Sequence, residues 1–302
     1  MKPARAGAIS VPVSTGRASS RVVDYISLTK PRLNLLVVLS SAVGYYLGVR
    51  GPLDLQLMIE AVLGTACVAG GSAVLNQVYE RDTDALMRRT RHRPLPDERV
   101  APAEARVFGL VLAALGLGVL VVRANLSAAA LAAATLVVYL AVYTPMKRWS
   151  SLATLVGAVP GALPPVIGWT AGHGSVSTGG AALFAIVFLW QIPHFMAIAW
   201  LYRDDYRTAG FPMLPVLEPD GRRTGRQALL YAGALLLASA LPTLVGLAGR
   251  AYLLPAIGLG AAFVWLAARF ARARSDRTAR ALFIGSIVYL PLIWIALVWD
   301  KI

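Results

Sequence analysis

Four residues with an amide or carboxylate side chain lie close together in the sequence at the end of the second long apolar run: Asn76, Glu80, Asp82 and Asp84. Asn76, Glu80 and Asp84 are spaced by four, so a helix places them on one face, whereas Asp82 points elsewhere unless the helix has unwound. Carboxylate and amide oxygens are the ligands that Mg²⁺ prefers. The pattern predicts a magnesium site of these four residues, and Asn76, Glu80 and Asp84 are also candidate catalytic residues.

Arginines lie within and directly after this run, and we take Arg81, Arg88 and Arg91 as candidate substrate-binding residues. Guanidinium groups bind phosphate oxygens bidentately, so arginines beside a metal-binding acid cluster would form a clamp for a diphosphate. Two other interpretations stay open. The acids could cap the helix and pair with Arg81 and Arg88, and any single arginine could serve only as loop charge beside a membrane.

A second candidate group lies at the end of the fourth apolar run. Tyr139 and Tyr143 would share a helical face, and their rings could stabilise a carbocation. Lys147 and Arg148 follow and could reach a leaving diphosphate. Tyr143 and Lys147 are therefore candidate catalytic residues and Arg148 a candidate substrate-binding residue, although tyrosines near a membrane interface often serve only as anchors.

A third candidate group ends the sixth apolar run. Gln191 and His194 are three residues apart in an uncharged segment, beside Pro193, whose missing N–H leaves a carbonyl free. His194 is either a substrate ligand or a core residue satisfied by its neighbours. Asp204 and Asp205 could bind a substrate or organise water, and ordinary helix-end charge is the alternative.

The elements that must position these residues are membrane helices. The chain is 57% hydrophobic and 15% charged, with a mean hydropathy of +0.64, and residues 149–202 contain no Asp, Glu, Lys or Arg. A spanning helix needs about 20 apolar residues, so we predict an all-α, polytopic bundle of nine spans, with a break at residues 172–175. The spans lie near residues 33–49, 57–76, 104–122, 127–145, 152–171, 180–201, 228–248, 251–268 and 281–299.

The basic residues divide unequally between the two sets of connections. Of the 29 Lys and Arg residues, 25 fall on the side of the amino terminus and only four on the other. By the positive-inside rule, the amino terminus is cytoplasmic and the carboxyl terminus outside. The net charge of +14 is therefore mostly an orientation signal, and we do not expect nucleic-acid binding, because the sequence offers no soluble basic domain for it. The single Cys67 excludes an internal disulfide.

We divide the chain into a flexible cytoplasmic tail, residues 1–24, and a membrane domain, residues 25–302. The first 21 residues are rich in Arg, Ser and Ala and lack acids, as in a plain tail or a transit peptide. A bacterial inner membrane is the preferred location and the mitochondrial inner membrane the alternative. Loops 77–103 and 202–227 follow spans four apart, which suggests a pseudo-repeat whose loops meet over one cavity.

The chain resembles the intramembrane prenyltransferases of the UbiA type. Their Asn-x-x-x-Asp-x-x-x-Asp run is matched by Asn76, Glu80 and Asp84, and the middle Glu keeps an oxygen ligand on a longer arm. The run Tyr-Thr-x-x-Lys-Arg at 143–148 also resembles the family. The family's second Asp-x-x-x-Asp is absent, because Thr and Ala stand four residues after Asp204 and Asp205. Four segments resemble the branch that prenylates haem: residues 28–32, 80–90, 193–197 and 205–215.

The resemblance implies a Mg²⁺-dependent transfer of the farnesyl group of farnesyl diphosphate to a vinyl group of haem b, with addition of water. The products would be haem O and diphosphate, formed inside the lipid bilayer, and haem A synthase would be a partner. It also implies that His194 ligates the haem iron and that Lys30, Arg32 or loop arginines receive the propionates. The alternatives are a quinone-pathway prenyltransferase for a 4-hydroxybenzoate-type acceptor, and a transporter or haem-handling factor.

Overall fold

The computed structural model describes residues 20–302, which form a bundle of helices. Most of the predicted tail lies outside these residues, so its boundary stays a prediction. The described residues contain no β-strand, only an isolated bridge between Ala248 and Lys301. The first eight helices are α1 (Arg21–Leu28), α2 (Pro31–Gly48), α3 (Leu55–Leu86), α4 (Pro102–Val119), α5 (Leu126–Val137), α6 (Thr144–Met146), α7 (Ala153–Ala162) and α8 (Pro164–His173).

Two π-helical turns, Leu120–Ala124 and Val138–Tyr143, extend α4 and α5, and the second joins α5 to α6. The predicted break at residues 172–175 is confirmed, because α8 ends at His173 and the following Gly174 takes a left-handed φ of 90° that glycine adopts without strain. The remaining helices are α9 (Thr178–Leu201), α10 (Arg203–Thr208), α11 (Leu214–Leu217), α12 (Arg222–Ala238), α13 (Leu241–Leu244), α14 (Leu253–Ala273) and α15 (Asp276–Trp299).

Eight helical segments of the described chain are long and apolar enough to cross a membrane, and they match eight of the nine predicted spans. The remaining predicted span, near 33–49, is the 18-residue α2. It falls short because Arg32, Asn34, two serines and two tyrosines lower its hydropathy. The protein is therefore a multi-pass membrane protein, and the predicted orientation of its termini stays a prediction.

Small residues bring the helices together without a large apolar driving force. Gly44 and Gly48 of α2 lie against the backbone of α8, and Gly168 and Gly172 of α8 lie against the backbone of α2. A Cβ added at any of the four would overlap the opposite backbone. Such close contact is the usual way in which membrane helices associate, and it fixes α2 and α8 as neighbouring walls of the interior.

Polar residues at the helix ends join the two predicted loops. Nε of Arg88, after α3, lies 3.3 Å from Oδ1 of Asp205 in α10, and the backbone N–H of Arg89 donates to Oδ2 of the same carboxylate at 3.4 Å. The side chain of Arg89 lies over the rings of Tyr202 and Tyr206. The two predicted loops therefore contact each other, and the pseudo-repeat stays a prediction.

Candidate active site

The polar end of α3 is buried. The helix continues to Leu86, so Asn76, Glu80 and Asp84 occupy one face, and they are only 2%, 7% and 2% exposed. Uncompensated carboxylates are costly to bury. The predicted common face is thus confirmed, and each acid has a partner from another part of the chain.

Each member of this polar face contacts side chains from another part of the chain. Lys147, directly after α6, places Nζ 2.8 Å from Oε1 of Glu80. Arg93, in the loop after α3, places Nη1 2.8 Å from Oδ2 of Asp84. Asn76 donates to the hydroxyl of Thr144 at 3.1 Å, which leaves its Oδ1 facing the hydroxyl of Tyr139 at 3.5 Å.

Asp82 is not part of this arrangement. Its side chain is 84% exposed and pairs with the neighbouring Arg81 at 3.0 Å. The physical reason is helical geometry, since a position two residues from Glu80 points to the far side of an unbroken helix. The structure therefore separates Asp82 and its partner Arg81 from the face of Asn76, Glu80 and Asp84. The metal-binding role of Asp82 and the substrate-binding role of Arg81 stay predictions.

The structure also redistributes the predicted loop arginines. Arg88 is 77% exposed and binds Asp205, and Arg91 is exposed and donates to His92. Neither contacts the acids of α3. The arginine that reaches the buried face of Asn76, Glu80 and Asp84 is Arg93, through Asp84. It was not among the predicted residues, and its only sequence signal is membership of the basic run 88–93.

The two tyrosines of the fourth span lie where the helix becomes a π-helix, Val138–Tyr143. Such turns occur frequently at functional sites. The rings of Tyr139 and Tyr143 lie 5.3 Å apart, and Nζ of Lys147 lies 4.5 Å from the Tyr143 ring. Arg148 points away and lies over the ring of Tyr79 at the surface.

Lys147 remains a cation at neutral pH. Burial alone would lower its pKa, but its contacts with Tyr143 and Glu80 outweigh this effect and raise the pKa above its ordinary value. Lys30, at the start of α2, behaves differently. Burial, together with the neighbouring cations Arg93 and Lys147, lowers the pKa of Lys30 to about 7.

An apolar cavity of about 260 Å³ extends into the bundle from this polar end. Its wall includes Lys30, which takes a left-handed φ of 51°, and the rings of Tyr139 and Tyr143. Most of the remaining wall is apolar or small: Leu33, Val37, Val68, Ala69, Ala73, Gly157, Pro160, Gly161, Pro164, Ile167 and Phe195. Arg32, in contrast, is exposed on the first turn of α2 and does not line the cavity.

The third predicted group is divided between two environments. Gln191 lines the cavity, whereas His194 packs between Trp190 and Phe283 and has Nδ1 2.7 Å from the hydroxyl of Ser286 in α15. The three-residue spacing turns the two side chains to different neighbours. His194 is therefore not among the cavity-lining residues that could contact a substrate there.

The two aspartates after α9 are also divided. Asp204 is exposed and pairs with Arg207 at 2.7 Å in α10. Asp205 is 6% exposed and joins the two loops. Asp205 can therefore act on the site by holding the loop that carries Arg93.

No group of three or more His, Cys, Asp and Glu residues within residues 20–302 forms a cage that could hold a metal ion by itself. The donor set of two carboxylates and one carboxamide nevertheless fits Mg²⁺. This ion is commonly bound through one or two carboxylates together with waters and substrate phosphates. A polar face with cationic side chains above an apolar cavity can bind an amphipathic diphosphate.

Comparison with known proteins gives the class. The sequence pattern of the UbiA prenyltransferase family matches residues 37–294, and the chain belongs to the UbiA prenyltransferase family. Within that family it is similar to protoheme IX farnesyltransferases. The enzyme of that name from Solibacter usitatus (strain Ellin6076) is 44% identical over 287 residues, which cover 92% of this chain and 98% of the relative. That of Opitutus terrae (strain DSM 11246 / JCM 15787 / PB90-1) is 46% identical over 290 residues, which cover 96% and 98%.

Solved structures agree with this fold. A digeranylgeranylglyceryl phosphate synthase superposes with a TM-score of 0.78 at 16% identity, covering 93% of this chain and 99% of that one. A UbiA homolog from Archaeoglobus fulgidus, bound to DMAPP and Mg²⁺, superposes with a TM-score of 0.66 at 20% identity, covering 91% and 99%. At these identities the likeness establishes the fold alone.

Proposed function

We propose that this protein transfers the farnesyl group of farnesyl diphosphate to a vinyl group of haem b, with addition of water, to give haem O and diphosphate. The observation that carries the proposal is the buried polar face of Asn76, Glu80 and Asp84 beside an apolar cavity, whose wall includes Tyr139, the donor to Asn76. A diphosphate head and an isoprenoid tail match these two parts. We infer the acceptor, haem b, from the relatives at 44% and 46% identity, which are protoheme IX farnesyltransferases.

The polar face would hold the cofactor. Oδ1 of Asn76 and the carboxylates of Glu80 and Asp84 are hard oxygen donors on one buried face, as Mg²⁺ requires. When bound, Mg²⁺ neutralises part of the diphosphate charge, which makes the diphosphate a better leaving group.

The cations around this face would bind the diphosphate. Lys147 and Arg93 each contact one acid, and both act electrostatically on Lys30. Together these basic side chains are suited to hold phosphate oxygens and to stabilise the charge that develops as the C–O bond breaks, because diphosphate favours the charged form of Lys30. In this proposal Arg93, together with Lys147 and Lys30, takes the diphosphate-binding role that the sequence predicted for Arg81, Arg88 and Arg91.

The tyrosine pair would cover the allylic carbon. As diphosphate leaves, positive charge develops on the first carbon of the farnesyl chain, close to Lys147. The rings of Tyr139 and Tyr143 line the cavity there, and aromatic faces stabilise cations at such distances. The vinyl group of haem b then attacks this carbon with its π electrons.

The apolar wall would hold the isoprenoid tail and exclude bulk water. The cavity-lining residues of α3 run from Ala73 down to Thr65, and the distance from Asn76 to Thr65 along the helix is about 16 Å. A largely apolar wall of this kind keeps bulk water from capturing the allylic cation early.

We further propose the bacterial inner membrane as the location and haem A synthase, which would consume haem O, as a partner. Propionate binding by Lys30 is left as a prediction, because Lys30 also borders the proposed diphosphate position. Arg32 and Arg148 are exposed and lie outside the cavity wall, so neither is part of the proposed active site.

The test of this function is acceptor choice. Purified protein in detergent receives farnesyl diphosphate with either haem b or 4-hydroxybenzoate, in Mg²⁺ or in a chelator, and diphosphate release is measured. We expect release only with haem b and Mg²⁺. Release with 4-hydroxybenzoate alone would assign the protein to the quinone pathway, and no release with either acceptor would contradict a prenyltransferase.

A further inference from the structure

Gln191 presents an unused hydrogen-bond acceptor to the cavity. The residue is 5% exposed and lines the cavity wall. Its side-chain Nε2 donates to the backbone carbonyls of Ala158, at 3.2 Å, and Val187, at 3.1 Å. Both N–H groups are thereby used, which fixes the amide. Its Oε1 lies over Gly161, another wall residue, and accepts no hydrogen bond from any residue within 20–302.

Two glycines of α7 show where Oε1 of Gln191 lies relative to Tyr143, near which the allylic carbon is proposed to react. A Cβ at Gly157 would overlap the ring of Tyr143, and a Cβ at Gly161 would overlap Oε1 of Gln191. The two glycines are four residues apart, so the Tyr143 ring and the Gln191 amide lie one turn apart, about 6 Å along α7. Gln191 is thus adjacent to the end of the cavity where the allylic carbon is proposed to react.

The chemistry of the reactants restricts what this oxygen can bind. A carbonyl oxygen that faces a cavity is stabilised by a hydrogen-bond donor placed there. The farnesyl chain carries no hydrogen-bond donor, and ionised diphosphate and propionates are acceptors. The pyrrole nitrogens of haem are bound to iron. Water is the one reactant that donates hydrogen bonds.

We propose that Gln191 is a positioning residue that holds the water molecule added to the haem side chain. The inference rests on the proposed function. The vinyl π electrons form a C–C bond to the farnesyl carbon as its C–O bond breaks, with that electron pair leaving on the diphosphate. The inner vinyl carbon becomes a cation, the water oxygen forms a C–O bond to it, and the released proton passes to the diphosphate. The amide orients the water and is not itself protonated.

If this water is misplaced, the second cation loses a proton instead and gives a farnesylated haem that lacks the elements of water. The test is therefore the ratio of this dehydrated product to haem O, read by mass spectrometry for purified Gln191→Met with farnesyl diphosphate, haem b and Mg²⁺. We expect the ratio to rise about tenfold, as for loss of one hydrogen bond to a reacting group.

Gln77 supplies a matched control. It is also buried and donates its Nε2 to two backbone carbonyls, of Leu28 at 2.6 Å and Ala73 at 3.0 Å, but it does not line this cavity. Gln77→Met therefore removes the same kind of bridge, and we expect it to leave the product ratio unchanged. Equal ratios in wild type, Gln191→Met and Gln77→Met would overturn the proposal.

A second variant tests the proposal if Gln191→Met does not fold. Gly161→Ala retains the glutamine but places a methyl group where Oε1 lies, and it should shift the ratio in the same direction. An unchanged ratio in Gly161→Ala that still makes farnesylated haem would overturn the proposal. Absence of any farnesylated haem from wild-type protein would instead contradict the proposed function.

Discussion

Arg93 donates a hydrogen bond of 2.8 Å to Asp84, a carboxylate that is 2% exposed. Arg93 lies in the loop that follows α3, and the loop turns back so that this side chain returns to the helix it has just left. The cationic part of the proposed diphosphate site is therefore built by a loop. That loop is held in turn by Asp205 through Arg88 and the backbone of Arg89.

The two aspartates near the end of α3 should differ sharply in function. Asp84→Asn removes a proposed metal ligand, and we expect a loss in kcat of about 100-fold or more, as when a group that stabilises developing charge is removed. Asp82→Asn changes an 84% exposed carboxylate and should retain activity. Steady-state kinetics on both purified variants measures the difference, and equal losses would refute the metal set.

Two arginines of one loop form a second matched pair. Arg93→Gln should raise the KM for farnesyl diphosphate about 10- to 100-fold, the effect of losing one charge-assisted hydrogen bond. Arg91→Gln changes an exposed side chain that contacts His92 and should leave KM nearly unchanged. An Arg93 variant with wild-type KM would remove this residue from the diphosphate site.

The lowered pKa of Lys30 predicts that the affinity for farnesyl diphosphate depends on pH. With its pKa lowered to about 7, Lys30 is largely neutral in the free protein above that pH. Diphosphate favours the charged form, so binding takes up a proton, and affinity falls by up to about tenfold per pH unit above 7. Isothermal titration on either side of the lowered pKa, from about pH 6.5 to about pH 8.5, should give a steeper fall in wild type than in Lys30→Arg, because an arginine keeps its charge over this range. Parallel curves would exclude Lys30 from the site.

Asp205 should control the order of the loop that carries Arg93. Asp205→Ala removes the contacts to Arg88 and to the backbone of Arg89, and each is worth about 1–3 kcal/mol at most. We expect faster hydrogen exchange in residues 87–93. Asp204→Ala, which breaks only the exposed pair with Arg207, is the control, and identical exchange in both variants would contradict the role of Asp205.

Much of the fold and part of the site could be predicted from the sequence, because both follow from helical periodicity and hydropathy. The spacing of Asn76, Glu80 and Asp84 defines one helical face in any tertiary context, and eight spans follow from apolar length. The same rule excludes Asp82. Segment α2 is less apolar, and its place in the bundle depends on close contact with α8.

The remaining site residues depend on tertiary contacts that local patterns do not encode. Arg93 is one of several loop arginines, and only the turn of the loop selects it. Gln191 and His194 are three residues apart, and packing against α7 and α15 decides that Gln191 lines the cavity while His194 contacts Ser286. The π-helical turn that ends at Tyr143 likewise has no clear signal in the sequence.

The central claim, farnesyl transfer to haem b at the polar end of α3, is tested most directly by the masses of haems extracted from membranes of cells that express the protein. We predict a haem heavier than haem b by one farnesyl and one hydroxyl group, and we predict its absence when Asp84→Asn protein is present at an equal level. Wild-type membranes without this haem, or an equal amount of it with Asp84→Asn, would contradict the account.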